Sequence, residues 1–212
     1  MAPRKLFLDG RYVRVIFLLI AVQIWMVGCS GSGSSPSCEL CGPDYQSALA
    51  RWTREAKLYD NKTMDLIIGV TATYRSPVFK QAYLRVFSDD YELDAAETQQ
   101  MATGQAMVAE TGLEFLVAVT AGGKEERDLA GARSPWRLYL EGQDWPGRLT
   151  PFEIRPVKKV TTRLKGYYPY ISPWAKVYHV RFLASGLPLN DHLTLVVTGV
   201  KGTVRLTYPL ED

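Results

Sequence analysis

Three cysteines and two histidines carry most of the chemistry open to this 212-residue chain. Cys38 and Cys41 form a C-x-x-C pair directly before Gly42-Pro43, Cys29 stands alone after an apolar run, and the histidines are His179 and His192. The short spacing suits a local disulfide between Cys38 and Cys41 that stiffens the approach to the first helix. Inert thiols or pairing between chains are the other readings. Thioredoxin-like redox chemistry asks for the first cysteine at a helix N-terminus inside a βαβ unit, whereas this pair lies in a Gly/Ser-rich stretch. Zinc asks for about four ligands, and the histidines lie far along the chain and out of ligand spacing. Haem attachment needs histidine after the second cysteine, where position 42 is Gly. No metal and no dissociable cofactor are expected.

Catalytic constellations are equally scarce. The chain has no Gly-x-Ser-x-Gly elbow, no phosphate loop ending in Gly-Lys-Ser/Thr and no dinucleotide fingerprint after a strand. His179 falls on the polar face of an alternating segment beside Arg181, and His192 in the Asn190-Asp191 turn; both read as structural. The adjacent acids Asp89/Asp90 and Glu125/Glu126 read as solvated loop residues, since acid–base catalysis needs convergence in a cleft. The expectation is a protein that is not an enzyme.

Two features stand above background. Tyr167, Tyr168, Tyr170 and Trp174 cluster around Pro169 and Pro173, with the basic residues Lys158, Lys159, Arg163 and Lys165 just before them. Together these eight residues are the candidate partner surface, able to stack on sugar rings, peptide or a partner protein; the competing reading has about half of the aromatics plugging the open end of the fold. The charges are also divided along the chain. Residues 29–128 hold 9 Lys/Arg and 15 Asp/Glu, and residues 129–212 hold 12 and 6. This gives either a dipolar surface able to meet anionic headgroups, or halves that pair with one another across the domain.

Cys29 ends a different pattern. Arg4, Lys5, Arg11 and Arg14 precede an apolar run from Val15 to Gly28, which closes in Met26-Val27-Gly28-Cys29 and gives way to Ser30-Gly31-Ser32-Gly33. Fourteen residues fall short of the roughly 20 that span a bilayer and match a secretory h-region. The segment resembles a bacterial lipoprotein signal, with Gly28-Cys29 as the end of the lipobox and Met26 where Leu is commoner. The resemblance covers only the first 35 or so residues; no family is recognised for the rest. It implies cleavage before Cys29, diacylglycerol on its thiol and an acyl chain such as palmitate on its amine. It also implies a cell-envelope location, periplasm-facing or surface, with the outer membrane favoured in a diderm because Ser30 rather than Asp follows the cysteine. Without residues 1–28, 21 Lys/Arg balance 21 Asp/Glu, so the basic excess belongs to the leader and a nucleic-acid partner is not expected.

These residues need a scaffold. Residues 1–28 are the signal, 29–43 a flexible tether and 44–212 one globular domain. Apolar spacing predicts a helix over Tyr45–Tyr59 with Asp44 as its cap, then a long strand from Lys62 to Arg75. A helix restarting at Ser76-Pro77 follows, and another from Asp94, which has capping-box spacing to Glu97, to Thr111. From Leu113 the period is two: strands are expected around 113–119, 136–140, 152–154, 177–182, 193–197 and 204–208, with Lys124–Arg133 a solvated loop and Lys165–Tyr178 an aromatic loop. The fold class is therefore α+β: an antiparallel immunoglobulin-like β-sandwich of about seven strands, with an N-terminal helix and a two-helix insertion after the first strand. A strand–helix–helix start followed by a β-meander is the alternative.

The function this implies is a lipid-anchored envelope protein with an interaction or assembly role, held to the membrane by its anchor and meeting an envelope protein or glycan. A periplasmic carrier or chaperone for an apolar molecule is the second reading, and an envelope enzyme the least supported.

Overall fold

The computed structural model describes residues 42–210. Cys29, Cys38 and Cys41, the signal and nearly all of the tether lie outside the described residues. The elements run α1 (Pro43–Trp52), β1 (Thr53–Tyr59), β2 (Leu66–Tyr74), α2 (Pro77–Asp90), α3 (Ala95–Thr111), β3 (Leu113–Thr120), β4 (Trp136–Gly142), β5 (Glu153–Pro156), α4 (Thr162–Tyr167), β6 (Lys176–Phe182), β7 (His192–Gly199) and β8 (Gly202–Pro209). The fold is α+β with two antiparallel sheets, one of five strands in the order β1-β2-β3-β6-β5 and one of three in the order β4-β7-β8.

Alternation decides which faces meet. Ile68, Val70, Ala72 and Tyr74 on β2, Phe115, Val117 and Val119 on β3, and Tyr178, Val180 and Phe182 on β6 are all buried, and the strand register aligns them on one face. Leu193, Leu195 and Val197 on β7 pair with Tyr208, Leu206 and Val204 on β8 to form the opposing face. The faces interlock at Tyr208, whose ring lies 5.6 Å from Phe115 and 6.2 Å from Tyr74. Its hydroxyl donates to the Ala72 carbonyl at 2.8 Å.

Two expectations need correcting. The first helix stops at Trp52, and Thr53–Tyr59 is a strand paired with β2 from Thr53↔Thr73 to Tyr59↔Leu66. The segment satisfies both periods: Ala56 and Tyr59 continue the helical stripe, while Ala56 and Leu58 alternate against Val70 and Ile68. Pairing with the free edge of β2 overrides local helix preference. Among the described residues there are eight strands, against about seven expected, and the helical pair follows the second strand rather than the first. A short helix, α4, also stands where the sequence suggests only a loop. Its N-cap is Thr161, whose Oγ1 accepts from the Leu164 N–H at 3.2 Å.

The helical insertion begins and ends as its residues dictate. Ser76 caps α2 by accepting from the Phe79 N–H at 3.1 Å, ahead of Pro77. Asp94 and Glu97 close a reciprocal capping box at the start of α3. Gly112 then carries the chain into β3 so tightly that a Cβ there would collide with the Phe182 carbonyl. Among the described residues no helix is long and apolar enough to cross a membrane.

Candidate functional site

Three groups of side chains have the chemistry for function: a largely buried charge cluster, the aromatic segment and the basic residues before it.

The charge cluster lies on the face of the five-stranded sheet away from the other sheet. Phe115 points into the core, so its neighbour Glu114 points outward beneath α2. Arg75 Nη1 meets Glu114 Oε1 at 2.7 Å and Lys80 Nζ meets Oε2 at 3.2 Å. His179 Nδ1 stands 3.8 Å from Oε1, an ion-pair distance rather than a hydrogen bond. The Glu114 and Lys80 side chains are only 12% and 6% exposed. Burial alone would raise the Glu114 pKa, but His179, Arg75 and Lys80 outweigh it and hold the carboxyl well below the usual carboxylate range. Burial pushes Lys80 the other way, below an ordinary lysine. A carboxylate so firmly ionised is a weak base and a poor acid near neutrality. Its two oxygens are taken up by the end of β2 and by α2, so the cluster ties the insertion to the sheet. Sequence reading passed over Glu114 and Lys80; the usable signal was a single acid on a strand whose every other neighbour is apolar, Leu113-Glu114-Phe115-Leu116.

The aromatic segment packs inward. Tyr167 and Tyr168 are buried, at 5% and 3% exposed. Tyr45 donates to the Tyr167 carbonyl at 2.8 Å, and Tyr167 donates to Asp90 Oδ2 at 2.5 Å. The Tyr167 ring stands edge-on to Tyr83 at 5.0 Å, and Tyr168 lies 6.1 Å from Phe79. Tyr170 places its hydroxyl 2.8 Å from Thr73 Oγ1, which in turn meets Thr53 Oγ1 at 2.8 Å. Burial pushes the hydroxyls of Tyr167, Tyr168 and Tyr170 well above the usual tyrosine range. A solvent-facing surface containing these three rings is therefore corrected: α4 turns them toward α2 and the sheet, where they fill the layer between. Trp174 alone of the four stays out, 76% exposed. Its carbonyl accepts from Arg127 Nη1 at 2.7 Å.

The basic residues do reach the surface. Lys158, Lys159 and Arg163 are exposed and Lys165 is half-buried. None of the four forms an ion pair with a described residue, although the Arg163 guanidinium lies 6.0 Å over the Phe87 ring. The contrast is with Lys176 and Lys201, which reach back across the chain to Asp128 at 3.1 Å and Glu126 at 3.3 Å. From Ile154 to Asn190 the sequence holds seven Lys/Arg and no Asp or Glu, and the acid just before it, Glu153, pairs with Arg155 and Arg181 rather than with the four.

The loop from Lys124 to Arg133 is more structured than a solvated stretch. Leu129 is buried; its N–H donates to the Tyr178 hydroxyl at 3.1 Å, and Trp136 Nε1 donates to the Glu126 carbonyl at 2.8 Å. His192 opens β7 with Nδ1 2.8 Å from Asp191 Oδ2 in an exposed turn. Among the described residues no three His, Cys, Asp or Glu side chains converge as a metal site. No family model, curated protein or solved structure matches the chain.

Proposed function

We propose that the protein is a lipid-anchored component of the bacterial cell envelope that acts by contact rather than by catalysis. The observation that carries this is the basic group of exposed Lys158, Lys159 and Arg163 and half-buried Lys165, left without ion-pair partners among the described residues and lying just before the exposed Trp174. Cations spared from internal pairing, beside an exposed indole, are the usual makings of a contact surface. The signal and Cys29 supply the address. The partner is an anionic envelope component, a protein, glycan or lipid headgroup.

The fold is read as immunoglobulin-like, and the strand order supports this. Setting β1 aside as an extra edge strand, β2-β3-β6-β5 facing β4-β7-β8 reproduces the A-B-E-D and C-F-G order of a seven-stranded immunoglobulin-like sandwich. The helices α2 and α3 then occupy the link between its first two strands. A carrier of apolar molecules would need room between helices and sheet, and that layer holds Tyr45, Phe79, Tyr83, Tyr167 and Tyr168.

The test is co-purification from cross-linked envelopes with Lys158→Glu/Lys159→Glu and Trp174→Ala variants. Loss of a specific envelope component from both, with folding unchanged, is the expected result; identical captures from wild type and both variants would remove this surface from consideration.

A further inference from the structure

Among the described residues the three most exposed large apolar side chains are Val200 at 97%, Trp174 at 76% and Met64 at 71%. They lie far apart in sequence, yet the topology brings them to one end of the two sheets. Met64 sits in the β1–β2 turn, which closes at Tyr59↔Leu66. Val200 is at the tip of the β7–β8 hairpin, which closes at Gly199↔Gly202. Trp174 precedes Lys176, the residue that pairs with Val119 near the end of β3. The loops are linked: Gly202 abuts the Leu58 side chain, Lys201 pairs with Glu126, and Arg127 holds the Trp174 carbonyl. Met64 is fixed at φ 59°, a left-handed conformation uncommon outside glycine and asparagine. Its N–H donates to the Asp60 carbonyl at 2.9 Å, so the turn holds the thioether outward.

We infer that this end inserts its three loop tips into the interface of a lipid bilayer. Scattered exposed apolar side chains need no explanation, but grouped ones mark an interaction site. The occupant that fits this end is a membrane. The apolar groups are separate protruding tips rather than a groove or flat face, and one is tryptophan, which favours the headgroup level. Lys62 lies exposed in the Met64 turn with Asp65, and Lys124 lies exposed beside Glu125 in the adjoining β3–β4 loop; Lys158 follows Val157, whose N–H donates to the Val177 carbonyl one residue from Lys176. Lysines so placed reach lipid phosphates while their stems lie along apolar tails. Tether length agrees. The 13 residues from Ser30 to Gly42 reach about 45 Å when extended, against about 27 Å for an eight-residue strand. An acylated Cys29 thus leaves this end free to meet the leaflet that holds the anchor. The inference rests on the anchor reading only for that last point.

The test uses the mature protein extracted from membranes, reconstituted into phosphatidylcholine–phosphatidylglycerol vesicles whose acyl chains are brominated near the headgroup. Trp52, Trp136 and Trp145 are buried and Trp25 falls in the leader that the signal reading removes, so in the mature chain Trp174 is the tryptophan open to contact quenching. Quenching that is lost in Trp174→Phe and reduced in Met64→Ser/Val200→Ser, all three proteins floating with the vesicles, is the expected result. Flotation with equal quenching in wild type and Trp174→Phe overturns the inference while leaving the anchor intact. A chain that carries no acyl group yet floats, with quenching that Trp174→Phe removes, upholds the tips and removes the anchor; one that does not bind vesicles removes both. Capture of a protein through Trp174 without quenching assigns the end to a protein partner instead.

Discussion

The Lys80 ammonium on α2 lies 3.2 Å from the Glu114 carboxylate on β3, and both are buried where the helix crosses the sheet. Arg75 binds the other carboxylate oxygen at 2.7 Å from the last turn of chain before α2 begins. One acid on the sheet therefore fixes both the start and the body of the helical insertion.

Replacing that acid should be costly. Glu114→Gln keeps the shape but leaves Lys80 and Arg75 as buried cations without a counter-charge. Breaking a buried pair from one side typically costs about 3–5 kcal/mol. Denaturant melts should show that loss, and Glu114→Gln/Lys80→Met should recover part of it. If the single variant unfolds at the wild-type midpoint, the pair holds nothing in place.

The same group sets a pH dependence. The folded-state pKa of Glu114 is depressed below its ordinary 4.5, so its contribution is complete above that value and drains away as pH falls toward the folded pKa. Wild-type stability should decline through the acid range below 4.5. Glu114→Gln, having lost the contribution already, should show a flatter acid limb in thermal melts, and parallel acid limbs would contradict this.

At the other end of the pH scale, burial pushes Tyr74 up to about 12 from an ordinary 10.0. A raised tyrosine pKa contributes stability in full below its unfolded value, a contribution lost as pH rises toward the folded one. Tyrosinate absorbance should therefore still be rising above the ordinary tyrosine range, where Tyr74 ionises as the sheets part. A single transition near 10 covering every tyrosine would show that the core rings are accessible.

How much of this the sequence discloses depends on the range of the forces involved. Strand positions from Leu113 onward follow from local alternation, and the α2 and α3 caps from Ser76 and from the Asp94–Glu97 spacing. All are matters of nearest neighbours in the chain. The strand Thr53–Tyr59 is not readable this way, because its conformation comes from a partner strand that local propensity does not see. Nor is the inward turn of Tyr167, Tyr168 and Tyr170, which depends on Thr161 capping a six-residue helix and on acceptors as distant as Thr73 and Asp90. The exposed part of the candidate surface, Lys158, Lys159, Arg163 and Trp174, is legible because charge and proline spacing are local properties. The gathering of Met64 and Val200 with Trp174 is purely topological.

Of the polar contacts that join the two sheets, the Tyr208 hydroxyl can be removed cleanly. Tyr208→Phe deletes the hydroxyl that bonds the Ala72 carbonyl at 2.8 Å while keeping the ring between Tyr74 and Phe115. A cost of about 1 kcal/mol is expected from the lost bond. A double-mutant cycle with Phe115→Leu should show coupling, since the rings touch; strict additivity would mean that Tyr208 does not bridge the layers.

Surface exchange should behave differently from all of these. Lys158→Glu/Lys159→Glu changes side chains with no ion pair to a described residue, so thermal stability should move by no more than about 0.5 kcal/mol, while envelope contact is lost. A large stability change would show that the two lysines serve the fold rather than a partner.

The proposed function depends most on where the protein is held. The direct measurement is the intact mass and N-terminal peptide of protein taken from the membrane fraction, with palmitate labelling of wild type and Cys29→Ala. The prediction is a chain that begins at Cys29, carries diacylglycerol and acyl chains there, and loses its label in the variant. A wild-type chain that retains residues 1–28, or label persisting in Cys29→Ala, would contradict it.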